Sequence, residues 1–353
     1  MRKKFDEIFE DCTKLGTKIK TDGYHSNGKH PIIDQGQEMV AGFTDLEDGL
    51  LDAVPAIVFG DHTRIIKYVD CPFFLGADGV KVLRSKVPNA NYRYLYYALK
   101  NAKIPNTGYN RHYKWLKELE IEYPPIDQQV KTVKVLDKVE SIIYNRQNQL
   151  QKLDELVKAR FVEMFGDPVT NPMDWPTKPL LEMGYCKNGM NFHTGDSGIE
   201  MHCLGVGDFK DYSVIDGTDY LPTISLNEAP PEESMLQDGD LVFVRSNGNK
   251  ALVGRCLLVY PHNTPTTYSG FCIRYRLTSA EVNIAYLLRV LKTDSMRKKM
   301  AGRGANIQNL NQQILAALNI PTPPLELQEW FTAFIEQIDK SKAVEGLYSS
   351  LCL

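Results

Sequence analysis

Hydrophobic residues between positions 123 and 165 recur at spacings of three, four and seven, which is the pattern of one apolar stripe on a helix. The stretch opens on Pro124-Pro125 and continues without Gly or Pro until Gly166-Asp167-Pro168, which is a helix stop signal. At 1.5 Å per residue such a helix is roughly 58 Å long, which is too long for one ordinary domain. It is therefore predicted to be a spacer between two globular bodies. The stripe consists of Ile126, Val130, Val133, Leu136, Val139, Ile143, Leu150, Leu153, Val157, Phe161 and Met164.

The same pattern recurs 199 residues later, where Gln328 aligns with Gln129 and Pro323-Pro324 aligns with Pro124-Pro125. Proline pairs before helices are common, but here the match also extends upstream, from Leu116, Leu119 and Ile121 to Leu315, Leu318 and Ile320. A long-period repeat of this kind indicates that the chain is built twice.

Short apolar runs bounded by turn residues repeat in the same order in both halves. The first half has predicted strands at 56–59, 65–69 and 80–83 and a helix at 91–100; the second has strands at 240–245, 253–260 and 271–277 and a helix at 284–291. The predicted fold class is α+β, with two duplicated α/β domains separated by long antiparallel, coiled-coil helices and an internal pseudo-two-fold axis. The predicted segments are a first domain at 1–105, a helical spacer at 106–168, a second domain at 169–305 and a second helical spacer at 306–353. The helices are expected to pack Val133, Leu136, Ile143, Leu150 and Leu153 on Phe331, Phe334, Ile335 and Ile338.

Composition and charge limit the class of protein to which the chain can belong. The 353 residues are 43% apolar and 24% charged, as in an ordinary soluble globular protein. No apolar run is long enough to span a membrane and no secretory signal is recognisable. The seven cysteines are scattered, which favours free thiols in the cytoplasm. A net charge of −3 argues weakly against a nucleic-acid partner without excluding one.

Known catalytic motifs are missing from the sequence. It has no phosphate-binding loop, no G-x-S-x-G elbow, no H-E-x-x-H and no Asp/Asn-Pro-Pro-aromatic signature of adenine methylation. Asp208-Phe209-Lys210 resembles a nuclease carboxylate-x-Lys only distantly. Cys186, His193, His202 and Cys203 fit no zinc spacing, so structural roles are favoured and no metal site is predicted. An enzyme with an unrecognised nuclease or methyltransferase motif, truncated or stand-alone, remains the alternative, and a symmetric protein-protein scaffold is a third.

Polar loops in both halves carry side chains that suit base edges, since Asn and Gln pair with adenine and Arg pairs with guanine. For each single residue a solvated turn is an equal alternative; the mirrored set is what favours DNA binding. The candidates in the first half are His62, Thr63, Arg64, Asp78, Tyr109, Asn110, Arg111 and His112. Those in the second half are Arg245, Ser246, Asn247, Asn249, Lys250, Tyr268, Ser269, Arg303, Asn306, Gln308 and Asn309.

These residues resemble a known family, the DNA specificity (S) subunits of type I restriction-modification systems. The resemblance rests on the stretches 28–37 (GKHPIIDQGQ), 59–64 (FGDHTR), 76–79 (GADG) and 108–113 (GYNRHY), and on the two helix openings at 124–129 and 323–328. It covers essentially the whole chain.

The resemblance implies a non-catalytic subunit with two target recognition domains, each reading one half of a bipartite DNA sequence. It also implies partners: double-stranded DNA, two methyltransferase subunits, and a motor-nuclease (restriction) subunit. Cofactors would then reside in the partners, namely S-adenosylmethionine, ATP and Mg²⁺. One departure from the pattern is the second long helix, which has only 29 residues from Leu325 to Leu353, so the counterpart of residues 150–165 is largely missing.

Overall fold

The computed structural model describes residues 1–76, 78–193, 195–209, 213–301 and 309–350; the side chains of residues 301 and 343–350 are outside this description. The chain divides into two compact units, Met1–Asn145 and Arg146–Leu353. The boundary between them falls inside the long helix. The four segment ranges proposed from the sequence stay predictions.

The first unit combines short strands with helices. Its elements are β1 (Arg2–Lys4), α1 (Phe5–Ile8), β2 (Phe9–Asp11), β3 (His30–Ile33), β4 (Gly42–Thr44), β5 (Ala56–Gly60), β6 (Ile66–Val69), β7 (Phe74–Leu75), β8 (Val80–Ser85), α2 (Tyr92–Lys100), α3 (Tyr113–Lys117), β9 (Glu120–Glu122) and the start of α4 (Ile126–Phe165). The main sheet has the order β2-β8-β5-β6, a second sheet has the order β4-β3-β7, and β1 pairs with β9.

Strand β5 is buried on both faces, which explains its continuous apolar run. Ile57 and Phe59 point to the helices α1 and α2, while Val58 points to the core beneath the second sheet. This alternation follows from the two-residue period of a strand. Helix α2 starts where the Asn91 side chain accepts a hydrogen bond from the Tyr94 backbone N at 3.1 Å.

The second unit repeats this plan. Its elements are the rest of α4, β10 (Thr177–Pro179), β11 (Gly184–Asn188), β12 (Ile199–Leu204), β13 (Val214–Asp216), β14 (Thr223–Leu226), β15 (Asp240–Val244), β16 (Cys256–Tyr260), β17 (Thr266–Tyr268), β18 (Cys272–Leu277), α5 (Ile284–Lys292), α6 (Asp294–Ala301), α7 (Gln312–Ala316), β19 (Asn319–Pro321) and α8 (Leu325–Ser350). The main sheet has the order β11-β18-β15-β16-β13, the second sheet has the order β14-β12-β17, and β10 pairs with β19.

The duplication extends to single hydrogen bonds. In the first unit the Tyr94 hydroxyl donates to the Glu122 carbonyl at 2.8 Å, and in the second the Tyr286 hydroxyl donates to the Pro321 carbonyl at 3.0 Å. Both bonds join the helix behind the main sheet to the short strand that precedes a long helix. The predicted α+β class, with two copies of one plan and long helices, is confirmed.

Different residues of the long helix α4 pack in the two units, which corrects the predicted packing of α4 on the second long helix. Val133 and Leu136 pack against the core of the first unit. The predicted partners Phe331 and Ile335 lie in the core of the second unit, where Val157, Phe161 and Phe165 from α4 contribute.

Within the second unit α4 and α8 run antiparallel, as predicted. Phe165 packs on Phe331 with ring centroids 5.4 Å apart, and Lys342 reaches Asp154 at 2.6 Å. Helix α4 ends at Phe165; the next residue, Gly166, has a φ of +73° that suits glycine, and Pro168 lies two residues further on.

Candidate nucleic-acid interface

Loops at one end of the main sheet form the candidate interface of the first unit, here called the first loop cluster (residues 60–64, 78–79 and 106–112). The backbone N and Nδ1 of His112 lie 2.8 and 2.9 Å from the Asp61 carbonyl oxygen. The Asp61 carboxylate accepts from the Tyr113 backbone N at 2.7 Å. Asp61 is almost fully buried, so these bonds fix the loop after β5 against the loop before α3.

Gln35 joins the loop at residues 60–64 to the loop at residues 78–79. Its Nε2 donates to the Asp78 carbonyl at 3.0 Å, and its Oε1 accepts from the His62 backbone N at 3.2 Å. Its backbone carbonyl accepts from the Thr63 hydroxyl at 2.7 Å. Gly79 permits this approach, because a Cβ at that position would lie 2.6 Å from the Gln35 Nε2. Together with the backbone bond from Asp61 N to the Gly79 carbonyl at 2.7 Å, Gln35 therefore fixes the relative positions of two candidate base-reading loops.

An aromatic pair projects from the first cluster. The Tyr109 ring stacks on the His62 imidazole with centroids 4.7 Å apart and planes 9° apart, and Tyr109 remains 88% exposed. His62 Nδ1 lies 3.2 Å from the Asn110 carbonyl oxygen, so the ring beneath Tyr109 is held in place. Such a flat, open face is suited to contact with a base or a sugar.

Charged groups surround this cluster. Lys18 donates to the Asp78 carboxylate at 2.8 Å, which holds the pKa of that exposed carboxyl below its usual value. Burial lowers the pKa of Lys67, whose ammonium contacts Asp34 at 3.3 Å and the Glu38 carbonyl at 2.5 Å beneath the loop that carries Gln35. A cleft of about 540 Å³ beside the loops is lined by Asp11, Thr13, Lys14, Gly16, Lys18 and Lys81. Lysines in such a position can contact phosphates.

The second unit has an equivalent arrangement, here called the second loop cluster (residues 245–250, 269–271 and 309). Arg245 follows β15 as Asp61 follows β5, and its carbonyl accepts from the Leu310 backbone N at 2.7 Å. Ser246 forms an isolated β-bridge with Asn309. The Arg245 guanidinium donates to the Gly270 carbonyl at 3.2 Å, which joins the third loop to the other two.

A cleft of about 480 Å³ opens between the loops of the second cluster, lined by Val206, Ser246, Asn247, Gly248, Phe271 and Asn309. Asn247 accepts from the Asn249 backbone N at 2.8 Å, and Asn249 accepts from the Ala251 backbone N at 3.0 Å. These side-chain bonds shape the loop around the cleft without secondary structure. Phe271 is 62% exposed at its mouth.

The structure corrects part of the predicted site. His112 and Tyr268 are fully buried, and Ser269 is 7% exposed, so these side chains support the loops and do not present a base-contacting surface. The Tyr268 hydroxyl donates to the Lys187 carbonyl at 3.3 Å inside the second unit.

The other candidates divide into three groups. Thr63, Arg64 and Asn249 lie in the clusters but hydrogen-bond to nearby backbone. Arg303, Asn306 and Gln308 lie outside the described residues. The remaining candidates lie on the accessible loops of the two clusters: His62, Asp78, Tyr109, Asn110, Arg111, Arg245, Ser246, Asn247, Lys250 and Asn309. Among these, the side chains of Asn110, Arg245 and Asn247 also hydrogen-bond to loop backbone.

The residues weighed for zinc binding do not assemble into a site. Burial raises the pKa of the Cys186 and Cys203 thiols to about 12, which disfavours the thiolate that a metal needs. His202 Nδ1 lies 2.8 Å from the Leu221 carbonyl oxygen. Within the described ranges no three His, Cys, Asp or Glu side chains are grouped to hold a metal ion. Asp208 accepts from the Gly205 backbone N at 2.8 Å, and its motif partner Lys210 is outside those ranges.

Sequence reasoning missed Gln35 and Phe271 as site residues. Gln35 lies in the 28–37 stretch that carries the family resemblance, and this motif could have marked it as a site residue. Its contacts with the two loops could not be predicted, because those loops are distant in the sequence. Phe271 is predicted from the sequence as the first residue of a strand, and only the fold shows that its ring is exposed. No described helix is long and apolar enough to cross a lipid bilayer.

Comparison with known proteins adds a family match. The model of the type I restriction modification DNA specificity domain matches residues 1–155 and 228–347. The specificity subunit of the type I restriction enzyme StySPI from Salmonella potsdam is 28% identical over 157 residues, which cover 43% of this chain and 33% of that protein. The EcoR124I/EcoR124II specificity subunit from Escherichia coli is 31% identical over 94 residues, covering 26% and 23%. The alignments thus span a third or less of these curated relatives.

Solved structures share the fold. The S subunit of a type I restriction-modification system from M. genitalium has a TM-score of 0.55 at 16% identity, covering 100% of this chain and 94% of that chain. A chain from a study of complex assembly and conformational transition of the type I R-M system has a TM-score of 0.54 at 15% identity, with the same coverage. At these identities the likeness concerns the fold alone.

Proposed function

Since the chain belongs to the family of type I restriction-modification DNA specificity proteins, we propose that it reads a bipartite DNA sequence for partner enzymes. Each unit reads one half of the target through its own loop cluster. The chain determines which adenines are methylated and carries out no chemistry of its own. It acts in the cytoplasm, where prokaryotic DNA lies.

The observation that carries this proposal is the repeated loop cluster. Both units place polar loops at the same end of the main sheet, directly after the equivalent strands β5 and β15, and both anchor the loop through a backbone carbonyl, that of Asp61 or Arg245. Two similar surfaces on one chain suit a ligand with two separate half-sites. Side-chain amides, an imidazole, aromatic rings and guanidinium groups on those surfaces are the groups that distinguish base edges in the major groove.

Two methyltransferase subunits are the proposed protein partners, and a motor-nuclease subunit joins them. S-adenosylmethionine, ATP and Mg²⁺ are bound by those partners. Exposed apolar residues on the middle of α4, including Ile142 at 47% and Tyr144 at 64%, support the view that part of this helix is covered in the complex.

Methylation mapping tests the function. In a host that carries this chain and its methyltransferase partner, we expect methylated adenines in one bipartite sequence. The purified complex should then prefer a duplex with that sequence over a scrambled duplex by about 10³-fold at physiological salt. No preference between the two duplexes would exclude specific DNA recognition.

The enzyme alternative is tested with the purified chain alone. We expect neither transfer of a methyl group from S-adenosylmethionine nor cleavage of DNA. Turnover that persists in the chain free of partners would favour the alternative.

A further inference from the structure

The cleft of the second loop cluster has an unusual composition for a DNA-reading surface. None of the described residues that line it is charged: the set is Val206, Ser246, Asn247, Gly248, Phe271 and Asn309. The nearby Arg245 guanidinium is engaged by the Gly270 carbonyl. In the first cluster Asp78 and Arg111 are exposed on the loops, whereas the charged residues on the loops of the second cluster, Arg245 and Lys250, do not line its cleft.

Base chemistry makes this difference informative. Guanine is read mainly by Arg or Lys on O6 and N7, and cytosine is read by a carboxylate that accepts from N4. Adenine is read by the amide of Asn or Gln on N6 and N7, and thymine is distinguished by apolar contact with its methyl group. A cleft whose described lining residues are uncharged, with amides and an aromatic ring among them, therefore matches an A·T pair.

The exposed Asn309 carries an amide of the kind that such readout needs. Its backbone is held by the bridge to Ser246, and no described residue hydrogen-bonds to its side chain. Both the Oδ1 and the Nδ2 are thus available for a bidentate contact. Asn247 is less suitable, because its Oδ1 already accepts from the Asn249 backbone N.

Phe271 is positioned to make an apolar contact with the methyl group of a thymine. Its carbonyl accepts from the backbone N of Arg245 at 2.8 Å and of Ser246 at 3.3 Å, so the backbone is fixed at the mouth of the cleft. Its ring is 62% exposed and has no polar atom. A rigid backbone presents this apolar group at low entropic cost on binding.

We propose that the second loop cluster reads an A·T base pair in the major groove, with the Asn309 amide on adenine N6 and N7 and the Phe271 ring on the thymine methyl. The inference rests on the proposed function and extends it, because it assigns a base pair and two specificity-determining residues to one unit. The half-site of the second unit accordingly contains an A·T pair whose identity depends on these two side chains.

The thymine methyl is tested by one chemical change. The target is mapped first, and the half-site of the second unit is identified by exchanging residues 169–309 for those of a related subunit. Each thymine in that half-site is then replaced by uracil, which removes the methyl group alone. We expect one position at which binding by the purified complex weakens about four-fold, as for loss of one buried methyl group.

The variants distinguish the role of Phe271 from a general effect. Phe271→Ala should bind the thymine duplex about four-fold more weakly and should no longer discriminate thymine from uracil at that position. Phe271→Leu keeps an apolar contact and should keep the discrimination. Because the ring is exposed, we expect both variants to unfold at the temperature of the unchanged protein. Equal thymine-to-uracil effects in Phe271→Ala and the unchanged protein would overturn the proposal.

Asn309 is tested on the same base pair. Asn309→Ala should reduce the preference for A·T over the other pairs by about ten- to a hundred-fold, as expected for one bidentate contact. Replacement of adenine by 7-deazaadenine, which lacks the N7 acceptor, should weaken binding by the unchanged protein but not by the variant. If the half-site holds no A·T pair that responds to either variant, this inference fails while sequence-specific binding stands. If the unchanged complex shows no sequence preference, the proposed function itself fails.

Discussion

Gln129 and Gln328 make the same buried hydrogen bond in the two units of this chain. The Nε2 of Gln129 donates to the Pro124 carbonyl at 2.8 Å, and the Nε2 of Gln328 donates to the Pro323 carbonyl at 2.7 Å. Each bond closes the proline turn that opens a long helix. The turn and the helix are thereby fixed to each other in both copies.

We expect the two glutamines to differ in their contribution to stability. Gln328 also accepts from the Asn283 backbone N at 2.8 Å, whereas Gln129 Oε1 is buried with no partner among the described residues. Gln328→Met should lower the free energy of unfolding of the second unit by about 2 to 3 kcal/mol, because it leaves buried polar groups unpaired. Gln129→Met should cost less than about 1 kcal/mol, because it also removes an unpaired oxygen. Urea unfolding measures both, and equal losses would contradict this account.

Gln35 should control recognition by the first unit. Gln35→Ala removes the bonds that hold residues 62 and 78, so we expect about ten-fold weaker binding to the mapped target, the size of one or two hydrogen bonds. The exposed neighbour Gln37 is the matched control, and Gln37→Ala should have little effect. Methylation mapping should show that sequence specificity is lost at some positions of only one half-site. Relaxation of both halves would argue against Gln35 acting within its own cluster.

The junction of α2 and α4 in the first unit should weaken in acid. Burial raises the pKa of Asp137, but hydrogen bonds from the Tyr97 hydroxyl at 2.7 Å and from Arg93 outweigh it, so the pKa lies below the ordinary value of 3.8. A lowered folded-state pKa stabilises the protein above the unfolded value, and this contribution is lost as the pH falls through the folded value.

Asp137→Asn should therefore lower stability at neutral pH by about 1 kcal/mol, a figure kept small because the side chain is 43% exposed. The loss should begin to shrink as the pH falls past the ordinary carboxyl value and should vanish once the pH is below the lowered folded-state pKa, where Asp137 itself is protonated. Urea unfolding of the first unit across pH 3 to 7 measures the difference, with the exposed Glu118→Gln as control. A loss that did not depend on pH would point to packing as the cause.

The packing of α8 in the second unit predicts a contrast between adjacent residues. Phe331 is fully buried against Phe161 and Phe165, whereas Trp330 is 49% exposed. Phe331→Ala should lower the free energy of unfolding by about 3 to 5 kcal/mol, because it removes buried apolar surface and leaves a cavity. Trp330→Ala should lower the free energy of unfolding by about 1 kcal/mol, because it loses two partly exposed contacts, with the Arg160 guanidinium 4.7 Å above its ring and with the Phe334 ring at 6.2 Å. Thermal unfolding of the two variants compares them.

Exchange of residues 169–309 for those of a related specificity subunit should change one half of the recognised sequence. The second cluster is built within one unit, and effects at sites without shared contacts are expected to add. The exchange extends past residue 305, the domain end predicted from the sequence, because Asn309 lines the cleft. Methylation mapping gives the result, and a change in both halves would contradict independent reading.

The sequence by itself determined the elements and the repeat. The predicted β5, β8, β15 and β18, and the helices α2, α4 and α5, all lie where the apolar periods placed them, with ends shifted by a few residues. Periodicity is a local property, since each strand or helix must bury one face or both whatever its neighbours are. The resemblance to the specificity family likewise rests on short motifs that are visible in the chain alone.

Only the tertiary structure decided which polar side chains are exposed on the two loop clusters. His112 and Tyr268 are candidates by residue type, yet their side chains are buried by their neighbours. Phe271 is predicted from the sequence as a strand residue, yet its side chain is exposed. The bond from Gln35 to Asp78 joins residues 43 positions apart. The same holds for the helix stripe, where Val133 and Leu136 pack in the first unit and Phe161 packs in the second. An apolar stripe shows that a face is buried, but the surface that covers it depends on contacts between residues distant in sequence, which no local period encodes.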